Sequence, residues 1–108
     1  MTNTNCTIDF NRFRSLESRV FSGRDRAGLI RKEIDFDKLL TNCESIQISI
    51  PDDIYSINTS FFLGLFGSTV RRLGEEKFRK RFKFICSETI KNDLEEGIDR
   101  ALKEKSVI

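Results

Sequence analysis

The side chains of this chain that are able to do chemistry are few, and histidine is not among them. Its absence excludes a Cys–His zinc site and any Ser–His or Cys–His nucleophile pair. What remains is a hydroxyl pair, three cysteines, one acidic loop and one basic run. The hydroxyls are Thr59 and Ser60, at the head of "TSFFLGLFGSTV". Cys6, Cys43 and Cys86 are widely spaced, odd in number and form no C-x-x-C pair, which reads as buried, reduced thiols. Asp52 and Asp53, with Glu44 nearby, are the clustered acids; adjacent loop carboxylates more often cap turns than hold a metal. No metal, no cofactor and no enzymatic activity of its own are therefore expected. The run Arg71 to Lys83 carries Arg71, Arg72, Lys77, Arg79, Lys80, Arg81 and Lys83 against Glu75 and Glu76, with Phe78 and Phe82 interleaved. Such a cluster suits phosphate contacts, yet cations after a helix C-terminus also answer its dipole. A small nucleic-acid-binding protein using segment 71–83 is accordingly the second expectation, and the less favoured one. Gly23, Arg24, Gly28 and Arg31 offer an anion-binding candidate at Arg24 and Arg31, although the Lys-Ser/Thr of a P-loop is missing.

These residues have to be positioned by a single domain. A length of 108 residues with 38% apolar and 33% charged content and a net charge of +2 fits one globular unit, residues 1–108. Residues 1–5 are expected to be a flexible N-terminus. The longest apolar run, Phe61 to Phe66, is interrupted by Gly64 and is far short of the roughly 20 residues of a membrane span. The N-terminal "MTNTNCTIDF" lacks a basic region followed by an apolar stretch, so no secretory signal is read there, and a cytoplasmic location without membrane contact is the default expectation.

Alternation of Cys6, Ile8 and Phe10 with Thr7 and Asp9 predicts a half-buried strand, with "RVF" at Arg19–Phe21 as a short extended partner for it. "RDRAGLIRKEI", with Ala27, Ile30 and Ile34 at helical spacing, predicts a helix. "DFDKLLTNC" either extends that helix or forms a separate turn capped by Asp35. "SIQISI" alternates cleanly and stops at Pro51, which predicts a strand over Ser45–Ile50 and then a loop. A helix is expected from Ser60 to Leu73, with Thr59 and Ser60 at its cap and Gly74 as its stop. "FKFIC" predicts a strand, and Ser87 caps a last helix whose inner face is Ile90, Leu94, Gly97, Ile98, Ala101 and Leu102. The order β-α-β-α-β-α predicts an α/β fold, a small mixed sheet with helices packed against it.

Plotted at 100° per residue, Phe62, Leu63, Leu65, Phe66, Thr69, Val70 and Leu73 share the arc that packs on the sheet, while Ser60, Gly64, Gly67 and Arg71 fall opposite. Glycine costs about 1 kcal/mol relative to alanine inside a helix. Two of them on an outer face suggest a flat surface for close approach by another backbone. The alternative is that both pack against the domain's own N-terminal segment. A hydroxyl at the helix start also stands where free N–H groups and the macrodipole favour a phosphate.

The pattern "SFFLGLFGSTVRRLGEEKFRKRFKFIC" after an alternating strand, with the upstream "FSGRDRAGLIR", resembles the STAS-like domain of unknown function found in bacteria, across about residues 19–103. The resemblance implies a STAS-like fold and kinship with anti-sigma-factor antagonists, small regulatory domains that bind a histidine-kinase-like ATPase. In those antagonists a serine at the equivalent helix start is phosphorylated by the partner, which releases the complex. Laid on their Asp-Ser-Ser-Gly-type turn, Asn58 takes the place of the aspartate, Thr59 that of the phosphorylated serine, and Ser60 lies beside it; Phe61 departs from the small residue expected there. The resemblance thus implies a partner-binding set of Asn58, Thr59, Ser60, Phe61, Gly64, Gly67 and Arg71. Thr59 and Ser60 are its candidate phosphorylation sites, with docking expected more strongly than phosphorylation.

Overall fold

In the computed structural model, which describes residues 4–14 and 19–105 and side chains as far as Lys103, the chain builds an α/β fold on two parallel sheets. Strand β1 (Asn5–Asp9) leads into a 3-10 turn (Phe10–Phe13). Next come β2 (Val20–Phe21), α1 (Arg24–Glu33), α2 (Phe36–Asn42), β3 (Ser45–Ser49) and β4 (Ser56–Ile57). One continuous helix then covers 59–73, made of α3 (Thr59–Phe62), a π-helical turn (Leu63–Gly67) and α4 (Ser68–Leu73). The chain ends with α5 (Glu75–Arg81), β5 (Phe82–Ile85) and α6 (Glu88–Lys105).

Strands β1, β3 and β5 form the main sheet in that order, with Ile8 opposite Ile48 and Ile48 opposite Phe84. Their alternation sorts the two faces. Ile8, Ile46, Ile48 and Phe82 are buried under the helices, whereas Thr7, Asp9, Lys83 and Ile85 on the opposite face are exposed. A parallel sheet normally has both faces covered and reads as an unbroken apolar run; this one is covered on one face, so its strands alternate like antiparallel ones. The expected mixed sheet is thus corrected to all-parallel pairing. The extended piece at Arg19–Phe21 is corrected as well: β2 pairs with β4, Val20 opposite Ser56 and Phe21 opposite Ile57, and not with β1. Of the segment expected to be flexible, residues 1–3 lie outside the described residues. Thr4 and Asn5 are ordered into the sheet edge, the Thr4 carbonyl accepting from the N–H groups of Glu44 and Ser45 at 2.8 and 3.3 Å.

The helix boundaries follow local chemistry. Asp35 accepts a hydrogen bond from the Lys38 N–H at 3.1 Å and starts α2 as a separate helix. Gly74, at φ +88°, ends α4 and at once begins α5; only glycine adopts that conformation without strain. The expected cap of the last helix is present, with Ser87 Oγ 3.3 Å from the Ile90 N–H. Between the expected stop at Gly74 and the strand at Phe82 the chain adds a helix, α5, with Phe78, fully buried, as its anchor.

Phe66, on the π turn, sits at the centre of the core, its ring 5.3–6.3 Å from those of Phe10, Phe36, Phe62, Phe78, Phe82 and Phe84. The 3-10 turn, α2, α3, α5 and β5 all meet on this one side chain. The helix 59–73 that carries it is flanked by α1 on one side and α6 on another, and so is buried on more than its sheet face.

Candidate partner-binding site at the start of helix 59–73

The start of this helix is held from three directions. The Asn58 N–H donates to the Phe21 carbonyl at 2.8 Å, which ties it to β2. One residue earlier the Ile57 N–H donates to Asp93 Oδ2 at 2.9 Å, which ties β4 to α6. The Asn58 side chain then caps the helix, Oδ1 accepting from the Ser60 N–H at 2.8 Å. The cap is therefore Asn58, one position before the expected Thr59 and Ser60, which occupy the first turn itself. Asn58 and Ser60 are exposed and Thr59 is half-buried, so the polar head of the helix is open to a partner.

The rest of the expected stripe is covered. Phe61 is 1% exposed, its ring 5.1 Å from that of Phe21; its role as a contact residue is corrected to one of core packing. Gly64 faces α1, and a Cβ built on it would lie 2.9 Å from the Ala27 Cβ and 3.2 Å from the Arg24 carbonyl oxygen. Gly67 is buried, and a Cβ there would meet the Arg71 guanidinium at 3.3 Å. The outward glycine face is thus corrected in favour of the alternative for Gly64, which packs on the domain's own α1. The seven residues expected to face the sheet do pack inward, Leu73 the least completely. What the wheel missed is that α1 covers the other side.

The Arg24 side chain runs along the same contact, its Cγ 3.1 Å from the Cβ position of Gly64. From the first turn of α1 it meets the helix at Gly64, one turn beyond Ser60. Arg31 lies in the last turn of α1, about 10 Å further along the axis at 1.5 Å per residue. Arg24 and Arg31 are therefore not brought to one anion site.

Much of the basic segment is engaged within the fold. Arg72 pairs with Asp37 of α2 at 2.6 Å. Arg79 makes a two-pronged pair with Glu95 of α6 at 2.7 and 2.6 Å and a third bond to Glu75 at 3.0 Å. These bonds hold the Glu95 carboxyl below its ordinary range and raise the guanidinium. Arg81 donates to the carbonyls of Leu40, Cys43 and Glu44 at 2.6, 2.7 and 2.8 Å and so closes the end of α2. Three of the seven cations thus serve as internal ties between helices. Of the clustered loop acids, Asp53 is paired with Arg14 at 2.8 Å, a hydrogen bond that lowers its pKa.

The cysteines differ from expectation. Cys6 of β1 and Cys43 at the end of α2 form a disulfide, which corrects the expected reduced thiols for this pair. Cys86 is free, and burial pushes its thiol pKa up, the direction opposite to that of an activated nucleophile.

The chain is accordingly defined as a parallel α/β domain with helices on one face of its main sheet and an exposed, asparagine-capped helix start beside Arg24. No family model matches the chain, no curated protein matches its sequence and no solved structure matches its fold. No helix among the described residues is long and apolar enough to cross a membrane.

Proposed function

We propose that this protein is a non-enzymatic regulatory or adaptor domain of STAS-like type. It binds a partner protein through the first turn of helix 59–73, and a histidine-kinase-like ATPase is the partner class that the resemblance implies. The observation that carries the proposal is the state of that turn. Asn58 and Ser60 are exposed at a helix start pinned by β2 and α6, so a partner meets a fixed arrangement and little ordering entropy is lost on binding. The docking surface is Asn58, Thr59, Ser60 and the adjoining first turn of α1 with Arg24. Phe61, Gly64 and Gly67 support that surface from beneath and do not touch the partner. A phosphate on Ser60 or Thr59 would sit at the positive end of the helix, where it is stabilised, and would change the charge and size of the surface a partner reads.

The test is capture of a purified histidine-kinase-like ATPase encoded beside this chain. Ser60→Arg, at an exposed position, should leave the melting temperature near the wild-type value and abolish capture. Unchanged capture would remove the helix start as the docking surface. Intact-mass measurement after incubation with that ATPase and ATP separates docking from switching: one added phosphoryl group, lost in the Thr59→Ala or Ser60→Ala variant, assigns the switch.

A further inference from the structure

We propose that the Cys6–Cys43 disulfide is a redox latch on the first half of the edge strand β1, opened by a dithiol reductant while the rest of the domain stays folded. Among the described residues, strand β1 has a single hydrogen-bonded neighbour, β3. Its two ends are held differently. At the C-terminal end Ile8 and Phe10 are buried, the Phe10 ring lying against Phe13, Phe21 and Phe66. At the N-terminal end Asn5 and Thr7 are exposed, and the covalent bond from Cys6 to Cys43 is the side-chain anchor beneath the ladder pairing to β3. Apolar packing therefore keeps the second half of the strand in place without the disulfide, whereas the first half would then be held by its ladder pairing to β3 and by exposed hydrogen bonds of Thr4 and Thr7.

Access to the bond is built into the same edge. A groove of about 480 Å³ runs between β1 and the α1–α2 corner, floored by Cys6, Cys43, Ile34 and Leu39 and rimmed by charged side chains of both signs, Lys38 and Glu33 among them. Cys6 is half-buried in this groove, whereas Cys43 is 3% exposed. A thiolate of the incoming dithiol attacks Cys6 Sγ, the S–S bond breaks, and Cys43 Sγ leaves as a thiolate and takes up a proton. The second thiol then attacks the mixed disulfide. Cys6 is released as a thiol, and the reductant, having given up two electrons, closes into its own disulfide. Cys86 follows β5 on the opposite edge of the sheet, so the exchange partner has to come from outside the chain. Once open, the latch frees the side of β3 to which Asn5 and Thr7 are paired.

Hydrogen–deuterium exchange on the full chain, with and without millimolar dithiothreitol, tests the latch. On reduction, alkylation should label Cys6 and Cys43, uptake should rise in peptides covering residues 4–7 and 40–45, and uptake in α3, α4 and α6 should stay unchanged; reoxidation should restore protection. The double variant Cys6→Ser/Cys43→Ser should show the raised uptake with or without reductant, with a melting temperature lower by roughly 10 °C or more. A disulfide that resists dithiothreitol in the folded protein, uptake that does not change on reduction, or loss of protection across the whole chain each overturns the proposal. Because the wild type carries the measurement, a double variant that fails to fold does not rescue the idea; it counts against a local latch.

Discussion

Alanine placed at three glycines should have three different effects, because each faces a different neighbour. At Gly97 of α6 an added Cβ would lie 2.5 Å from both Cγ and Cδ1 of Phe62 and 3.1 Å from its Cβ. Phe62 cannot retreat: it is 1% exposed, with the rings of Phe66 and Phe78 at 5.3 and 6.5 Å on its other sides. Overpacking of this kind costs about 1–3 kcal/mol, and the clash with a ring root places it in the upper part of that range. Alanine recovers about 1 kcal/mol of helix propensity, which leaves a net loss of about 1–2 kcal/mol. For a domain near this size that is a fall in Tm of roughly 5–15 °C. Gly64 has its closest neighbours at 2.9, 3.1 and 3.2 Å, the Ala27 Cβ, the Arg24 Cγ and a backbone oxygen, so the crowding slightly outweighs the gain in propensity and stability falls slightly. Gly28, in the middle of α1, has nothing within 4 Å of a Cβ, and alanine there should add about 0.5–1 kcal/mol. Thermal and urea unfolding of the three single variants should rank Gly28→Ala above wild type, then Gly64→Ala, then Gly97→Ala. A Gly97→Ala protein as stable as wild type would refute the packing of α6 on helix 59–73.

Asn58→Ala removes the side-chain cap of helix 59–73 and should cost about 1 kcal/mol, read as a shift in the urea midpoint at unchanged slope; an unshifted midpoint would mean the cap contributes nothing. Ser68 Oγ is a buried hydroxyl without a hydrogen-bond partner among the described residues, so Ser68→Ala should stabilise the fold by about 1 kcal/mol through relief of desolvation and better helix propensity, and a destabilised variant would show that the hydroxyl has a partner. Asp53 and Glu95 have pKa values lowered by Arg14 and Arg79 respectively. Their contributions are therefore present above the unfolded carboxyl range of about 4 and are lost as the pH falls through the folded values. Asp53→Asn and Glu95→Gln should each lower Tm slightly at pH 7 and converge on wild type as the pH falls through the folded values; a gap that does not narrow in acid would exclude ionic pairing as its cause.

Several elements were legible in the sequence because their signals are local. The strand alternation of "SIQISI" survives since one sheet face is exposed. Had helices covered both faces, the parallel strands would have been apolar throughout and harder to tell from a buried helix segment. Asp35, Gly74 and Ser87 announce helix ends through caps and a positive φ, which depend on a few neighbouring residues. Other features depend on partners distant in the chain. Val20–Phe21 and Ser56–Ile57 are too short to carry a period, so their pairing lies in the fold alone. The Cys6–Cys43 bond likewise joins residues 37 positions apart, a pairing that spacing does not reveal. Helix α5 was hidden in a charged run whose one structural clue, Phe78, is a single residue.

The glycines of helix 59–73 show where such inference ends and what could extend it. A helical wheel finds the face that must be dry, and that face is correct here; it supplies no information on a second neighbour, so it sets two glycines opposite the apolar arc on the water side. The second neighbour does leave a trace, in the small residues with which helices approach one another. Ala27 of α1 lies opposite Gly64, and Gly97 of α6 lies opposite Phe62. Each contact sets a small residue on one helix against the backbone or a ring of the next, which is how a helix is enclosed between two others without a gap. Apart from Arg72 in the last turn, which pairs with Asp37, the exposed chemistry of the helix is thereby confined to its first turn, where Asn58 and Ser60 project from the rod. A partner that recognises this domain through helix 59–73 has that turn to read, and the glycines set its position by fixing how closely α1 and α6 hold the rod.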